Sequence, residues 1–252
     1  MDTTNPPGNE TRAATYLRDV LAAEGIEGRL YALEPGRDNL VARVHGNGSK
    51  PPILVMGHTD VVGVQRESWS VEPFDAVHRD GYIYGRGSLD DKDNVTASLM
   101  LLLMLKRAAV DLDRDVIFLA EAGEEGTPEV GVDFMVDEHW DEISAEYCLA
   151  EGGGAVARDG QVRYVSIATT EKFPMRVRLV AHGTAGHGSV PRGDNAISAL
   201  AMAVAKLSEW QPPMRLNDTT RAYFERLATI SSDEQAERYR KLLDPAEQAR
   251  VQ

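Results

Sequence analysis

The sequence is short of cysteine, of basic residues and of long apolar runs, and each shortage excludes a class of protein. One of its 252 residues is cysteine, Cys148, so an intrachain disulfide is excluded and a reducing compartment is favoured. Acidic residues outnumber basic ones by 40 to 27, and this net charge of −13 argues against nucleic-acid or anionic-membrane partners. The longest apolar run, residues 99–105, is far shorter than the ~20 residues of a membrane span. Residues 1–8 lack the features of a signal peptide, so we expect a cytoplasmic protein.

Short apolar runs predict a buried sheet in the first part of the chain. Three of them do not alternate with polar residues, as is typical of strands covered on both faces: residues 53–56, 116–120 and 147–150. Two further short strands and three helices are predicted around them: strands at 29–33 and 39–44, helices at 9–24, 91–107 and 130–140. This order predicts an α/β fold with a doubly wound, mostly parallel sheet and helices on both faces. Cys148, inside the third run, is expected to be a buried and unreactive thiol.

The pattern changes near residue 170. Residues 163–168 and 175–181 alternate as strands with one exposed face do, and residues 195–210 have helical spacing with Asn195 as the expected N-cap. We therefore predict a first domain over residues 1–170 and the start of an α+β domain over residues 171–252.

Acidic residues and one histidine gather where the three apolar strands end and the long helix begins. They are His58, Asp60, Asp90, Glu124, Glu125 and Glu151. In open α/β sheets, ligands bind outside the carboxyl ends of the strands. Clustered carboxylates raise each other's pKa unless a cation joins them, and one imidazole with several carboxylates suits zinc, cobalt or manganese. The pattern predicts a two-metal hydrolytic site. In the absence of metal, His58 would be a core histidine, Asp90 a helix cap, and Glu124 and Glu125 solvated acids.

Five motifs in the chain resemble those of metallopeptidase family twenty. This family of zinc enzymes includes glutamate carboxypeptidase, aminoacylase, acetylornithine deacetylase and succinyl-diaminopimelate desuccinylase. The motifs are His58-x-Asp60, Gly85-Arg86-Gly87-x-x-Asp90-x-Lys92, Glu124-Glu125, Glu151-Gly152-Gly153 and Gly183-x-x-x-His187-x-Ser189-x-Pro191. They occur in the family's order, and the resemblance extends from about residue 4 to about residue 195.

The resemblance implies a ligand set for two Zn²⁺ ions, with Co²⁺ or Mn²⁺ as substitutes. His58 and Glu151 would bind the first metal, and Asp90 would bridge both metals. Glu125 would bind the second metal. Asp60 would orient the imidazole of His58.

The resemblance also implies a reaction, the hydrolysis of amide bonds in peptides or N-acyl amino acids. Glu124 would be the general base at a metal-bridging water, and His187 would hydrogen-bond the oxyanion. In this family that histidine commonly reaches the partner subunit's site, which implies a homodimer through a lid or dimerisation domain, here residues 171–252. Residues 170–173 and 183–191 resemble the carboxypeptidase-type members most.

The sequence departs from the family pattern in three ways, and the two departures at the ends of the chain lead us to expect an N-terminal fragment. Asp93 stands where glycine is usual. Met1 lies almost at residues 3–8, a segment that a helix usually precedes in the family, and the chain stops at Gln252, before the family's last metal-binding histidine. The alternative function is a non-catalytic homologue that binds metal weakly or only dimerises. A metal-free acidic binding domain is a further alternative.

Overall fold

The protein is described by a computed structural model that covers residues 1–169 and 175–251. The chain divides into two compact units, Met1–Glu151 and Gly152–Gln252. The predicted domain boundary at 170/171 and the motif at residues 170–173 lie outside the described residues.

The first unit contains a five-stranded sheet with helices on both faces. Its elements are α1 (Thr11–Ala23), β1 (Gly28–Tyr31), β2 (Asn39–Val44), β3 (Ile53–His58), β4 (Val77–Arg79), β5 (Tyr82–Tyr84), α2 (Lys92–Arg107), β6 (Val116–Glu121), α3 (Val132–Glu138), α4 (Trp140–Ile143) and β7 (Tyr147–Leu149). The strand order is β1-β2-β6-β3-β7, and β4 and β5 form a separate hairpin. β3 is parallel to β6 and β7, while β2 is antiparallel to β1 and β6, so four of the five strands run in one direction.

Two apolar clusters cover the two faces of this sheet. On one face α1 and α2 pack through residues such as Leu21, Leu99 and Leu102 against Phe118. On the other face Phe134, Met135 and Ile143 of α3 and α4 pack against Ile117 and Leu119. Alternate residues of β6 thus enter opposite clusters, and all six of its residues are buried. The predicted doubly wound, mostly parallel α/β fold is confirmed.

The prediction of a buried Cys148 is wrong. Its thiol is exposed, and its neighbours Tyr147 and Leu149 are 56% and 59% exposed. The reason is position in the sheet: within the described part of the chain, β7 has a hydrogen-bonded neighbour, β3, on one side alone. An apolar run predicts a strand, but it does not say whether other elements cover that strand.

The described residues of the second unit form one β-hairpin and four helices. They are β8 (Gly154–Arg158), β9 (Gln161–Ser166), α5 (Ala196–Glu209), α6 (Asp218–Ile230), α7 (Asp233–Leu243) and α8 (Gln248–Val251). Asn195 caps α5 as predicted, because its Oδ1 accepts the backbone N–H groups of Ile197 and Ser198 at 2.9 and 3.1 Å. The strand predicted at 175–181 does not form, and no described segment pairs with it to satisfy its backbone groups. In the described residues, no helix is long and apolar enough to cross a membrane.

Candidate metal centre

His58 is the last residue of β3 and is 1% exposed. It lies beside Glu121, the last residue of β6, in the parallel register of the two strands. The preceding residue must be glycine, since a Cβ at Gly57 would lie 2.5 Å from the Asp91 Oδ2 atom. That oxygen accepts the backbone N–H of His58 at 3.1 Å, so the glycine allows the start of α2 to approach the end of β3.

Three carboxylates surround the His58 Nε2 atom. The distances to it are 3.0 Å from Asp90 Oδ1, 3.5 Å from Glu151 Oε2 and 3.9 Å from Glu124 Oε2. The side chains of these three acids are about half exposed, whereas the imidazole is buried. The cluster is therefore open on the acidic side, where a ligand can enter.

Asp60 fixes the other side of the imidazole. His58 Nδ1 faces the backbone oxygen of Asp60 at 3.1 Å and its Oδ1 at 3.3 Å. Both atoms are acceptors, so Nδ1 carries a proton, and Nε2 is the nitrogen that would offer a lone pair to a metal once its own proton has left. The same carboxylate accepts the backbone N–H groups of Glu124 and Glu125 at 3.2 and 3.1 Å. Burial alone would raise the pKa of Asp60, but hydrogen bonds from His58, Asn5 and Glu125 lower it.

The electrostatics of the cluster favour a bound cation. Burial disfavours a charged His58, yet the hydrogen bond and charge of Asp60 and the charge of Glu124 raise its pKa to about 10. Burial and neighbouring acids raise the pKa of Glu125 and of Glu151. Without a metal, these groups lose their protons less readily than isolated ones do. A divalent cation competes with protons for the same donor atoms, so metal affinity would rise with pH.

The donor atoms fit a metal ion. Two sets have ligand atoms within 4.8 Å of one another: His58, Asp91 and Glu151, and His58, Asp90 and Glu125. Glu125 Oε1 is buried and has no hydrogen-bond partner among the described residues, as expected for an oxygen that binds a cation. The structure thus brings together all four predicted ligands, His58, Asp90, Glu125 and Glu151.

Asp91 is a member of this cluster that the sequence did not indicate. Asp91, rather than Asp90, occupies the N-cap position of α2, so the alternative in which Asp90 caps this helix does not hold. The side chain of Asp91 is 2% exposed and bonds His58 N and Asn94 Nδ2, both at 3.1 Å. Two adjacent aspartates have the same chemistry, and the sequence alone does not show which of them turns inward.

Glu121 is a second acid that sequence reasoning missed. It is 6% exposed, and its Oε2 has no hydrogen-bond partner in the described part of the chain. Burial raises the pKa of Glu121 to about 7, although the charge of His58 and the N–H of Val132 favour ionisation. The available signal was an acid directly after five apolar residues of a central strand.

The replacement Glu121→Gln is expected to stabilise the metal-free protein most at high pH. Folding raises the pKa of Glu121 from 4.5 to about 7. The free energy of unfolding therefore falls as the pH rises through this range, by about 3 kcal/mol in all. Glutamine stays neutral and avoids this loss. The gain in melting temperature should be larger near pH 8 than near pH 5. The same gain at both pH values, or one equal to that of the exposed-site control Glu129→Gln, would contradict this explanation.

His187 belongs to the second unit, where its side chain is exposed. Its Nδ1 accepts the backbone N–H of Ser189 at 3.3 Å and lies 2.8 Å from the Ser189 hydroxyl. Since Nδ1 is an acceptor, the proton of the neutral ring is on Nε2, which is left as a hydrogen-bond donor.

Comparison with known proteins agrees with the motifs. The family described as "Peptidase family M20/M25/M40" matches residues 54–242. The chain is 33% identical over 185 residues to the N-fatty-acyl-amino acid synthase/hydrolase PM20D1 of Xenopus tropicalis, covering 71% of this chain and 36% of that protein. It is 30% identical over 213 residues to the probable succinyl-diaminopimelate desuccinylase of Staphylococcus aureus, covering 84% of this chain and 50% of that protein.

A solved structure shows the same fold. The M20 family metallo-carboxypeptidase Sso-CP2 from Sulfolobus solfataricus aligns with a TM-score of 0.54 and 25% identity, over 61% of this chain and 35% of that chain. This chain thus spans between about a third and a half of the length of these proteins. All seven predicted site residues lie inside the matched range of 54–242. The chain belongs to peptidase family M20/M25/M40.

Proposed function

We propose that the protein is a metal-dependent hydrolase that cleaves amide bonds in peptides or N-acyl amino acids. The observation that carries the proposal is the buried His58 imidazole, whose Nε2 lies within 3.9 Å of three carboxylates from three different segments. Family membership supports hydrolysis. The substrate class follows from relatives named as an N-fatty-acyl-amino acid hydrolase, a desuccinylase and a carboxypeptidase.

Two zinc ions would be held by His58, Asp90, Glu125 and Glu151. His58 and Glu151 would bind the first ion, Glu125 would bind the second, and Asp90 would be shared between the two. When bound, zinc would polarise the scissile carbonyl and lower the pKa of water. Cobalt or manganese would fit the same nitrogen and oxygen donors.

Glu124 would be the general base. Its Oε2 is the most distant of the three carboxylate oxygens around His58 Nε2, at 3.9 Å, and its side chain is half exposed. Glu124 is absent from both sets of clustered ligand atoms, which supports a role other than that of a metal ligand. It would take a proton from the attacking water and pass it to the nitrogen of the leaving amine.

His187 would stabilise the oxyanion of the tetrahedral intermediate. Its Nδ1 accepts a backbone N–H, so Nε2–H is the donor that this role requires. We propose that His187 serves the site of a partner subunit in a homodimer formed through residues 171–252. We also propose a cytoplasmic location, on the basis of the single cysteine.

The proposed function is tested with a panel of dipeptides and N-acyl amino acids, with acyl groups from acetyl and succinyl to long fatty chains. We expect release of the free amino acid by protein loaded with zinc or cobalt, and loss of release in a chelator. Bound metal without turnover on any member of the panel would favour the alternative, a homologue that binds metal but does not catalyse. That alternative is motivated by the two ligand sets found among the described residues: each contains a single histidine, and in both it is His58.

A further inference from the structure

We propose that Asn5 is a positioning residue for the metal centre. It would hold Asp60, and through Asp60 both His58 and the Glu124–Glu125 backbone, at the end of a buried relay of hydrogen bonds. The relay begins at the Arg37–Glu10 ion pair and passes through Thr127. This inference rests on the metal centre of the proposed function, but it does not depend on turnover.

The backbone around Asn5 is fixed against the loop that follows β3. Asn5 N donates to Val61 O at 2.9 Å, and Val61 N donates to Thr3 O at 3.2 Å. The hydroxyl of Thr3 donates to Thr59 O at 2.7 Å. Asn5 is 5% exposed, so its side chain enters the interior next to Asp60.

The Asn5 amide connects two acceptors. Its Nδ2 donates to Asp60 Oδ2 at 2.8 Å and to Thr127 Oγ1 at 3.0 Å. Both protons of the amide are therefore used, and the amide has one orientation that satisfies them. The Thr127 hydroxyl also accepts from Arg37 Nη2 at 2.9 Å.

Arg37 is held in turn by Glu10. The pair is bidentate, with Nε to Oε2 at 2.7 Å and Nη2 to Oε1 at 2.8 Å, and the side chains are 7% and 0% exposed. Fork-to-fork geometry of this kind fixes orientation as well as distance. The turn before Glu10 requires glycine, since Gly8 has a φ of +87° and a Cβ there would lie 2.2 Å from Arg37 Nε.

The relay matters because of what Asp60 holds. Its carboxylate faces four donors: the Asn5 amide, the backbone N–H groups of Glu124 and Glu125, and His58 Nδ1. Three of these belong to residues of the proposed metal and proton-transfer chemistry. Without the Asn5 bond the carboxylate loses one of its four donors, the one that belongs to neither the imidazole nor the glutamate loop, so both of these would be held less firmly. Mutation of a residue that orients a metal ligand typically weakens metal binding by about 10–100-fold.

The test measures zinc affinity by competition with a chelator, together with the visible spectrum of the Co²⁺-loaded protein. We expect Asn5→Ala and Thr127→Val to weaken zinc binding by about 10–100-fold and to change the cobalt bands, which report ligand geometry. Thr127→Ser retains the hydroxyl and should restore wild-type binding. The matched control is Thr11→Val, because the Thr11 hydroxyl bonds Asp38 and lies outside the relay. Circular dichroism of the metal-free proteins checks that each variant folds.

Two results would overturn the proposal and are distinguishable. If the wild type binds zinc and Thr127→Val binds it equally well with the same cobalt spectrum, the relay is a stabilising contact alone. The pair Thr127→Val and Thr127→Ser decides this even if Asn5→Ala fails to fold. If the wild type itself binds no zinc, the metal centre is wrong and this inference fails with it.

Discussion

Replacing Glu124 with glutamine is expected to lower kcat for amide hydrolysis by about 10²–10⁴-fold and to leave the zinc content unchanged. Glutamine has the size and polarity of glutamate but does not take a proton from water. The zinc content should persist because Glu124 belongs to neither set of clustered ligand atoms. Steady-state hydrolysis of the best substrate in the panel, with zinc measured on the same sample, gives both quantities.

The matched control is Glu129→Gln, an exposed glutamate in the short turn after the Glu124–Glu125 pair. It should have wild-type activity and zinc content. If Glu124→Gln lost zinc in parallel with activity, Glu124 would be a ligand, and its assignment as the base would be wrong. If it kept full activity, the proton would be carried by another group.

Replacing His58 with alanine is expected to weaken zinc binding by about 10²-fold or more. Zinc in four-ligand structural sites is bound with about 10–16 kcal/mol, so one ligand accounts for about 3 kcal/mol. His58 occurs in both sets of clustered ligand atoms, so each set loses its only nitrogen ligand. Competition with a chelator gives the dissociation constants, and circular dichroism shows whether the variant folds.

His45→Ala serves as the control for His58→Ala. The side chain of His45 is 78% exposed and lies near Asp115, at the opposite end of the neighbouring strands. It should bind zinc as the wild type does. Equal affinity in His58→Ala and the wild type would show that the metal, if any, is held elsewhere.

The fold of the first unit could be predicted because its elements obey simple periodicities. The apolar runs of β3 and β6 are covered on both faces, and α1 and α2 each bury one stripe. The gathering of His58 with the acids followed from one rule, that parallel strands end at the same edge. Segments whose structure depends on the elements packed against them were less predictable. Cys148 is exposed and residues 175–181 do not form a strand, and in both cases the local sequence does not show which other segments pair with or cover them.

The supports of the site could not be predicted, since they depend on contacts between distant segments. Asn5 and Thr127 are 122 residues apart in the sequence, and Arg37 and Glu10 are 27 apart. Nothing in their local patterns distinguishes them from turn or surface residues. Glu121 and Asp91 were missed for a related reason: whether an acid is buried depends on the packing around it. Sequence motifs identified the residues proposed to react, and the structure added those that hold them.

Anomalous diffraction at the zinc absorption edge, from crystals of this protein grown with zinc, would locate the metal itself. We expect a peak within about 2.2 Å of His58 Nε2, with carboxylate oxygens of Asp90 and Glu151 as further ligands. A second peak about 3.5–4 Å away, next to Glu125, would complete the two-metal site. No peak at His58 in zinc-saturated crystals, or zinc bound elsewhere alone, would contradict the proposed metal centre.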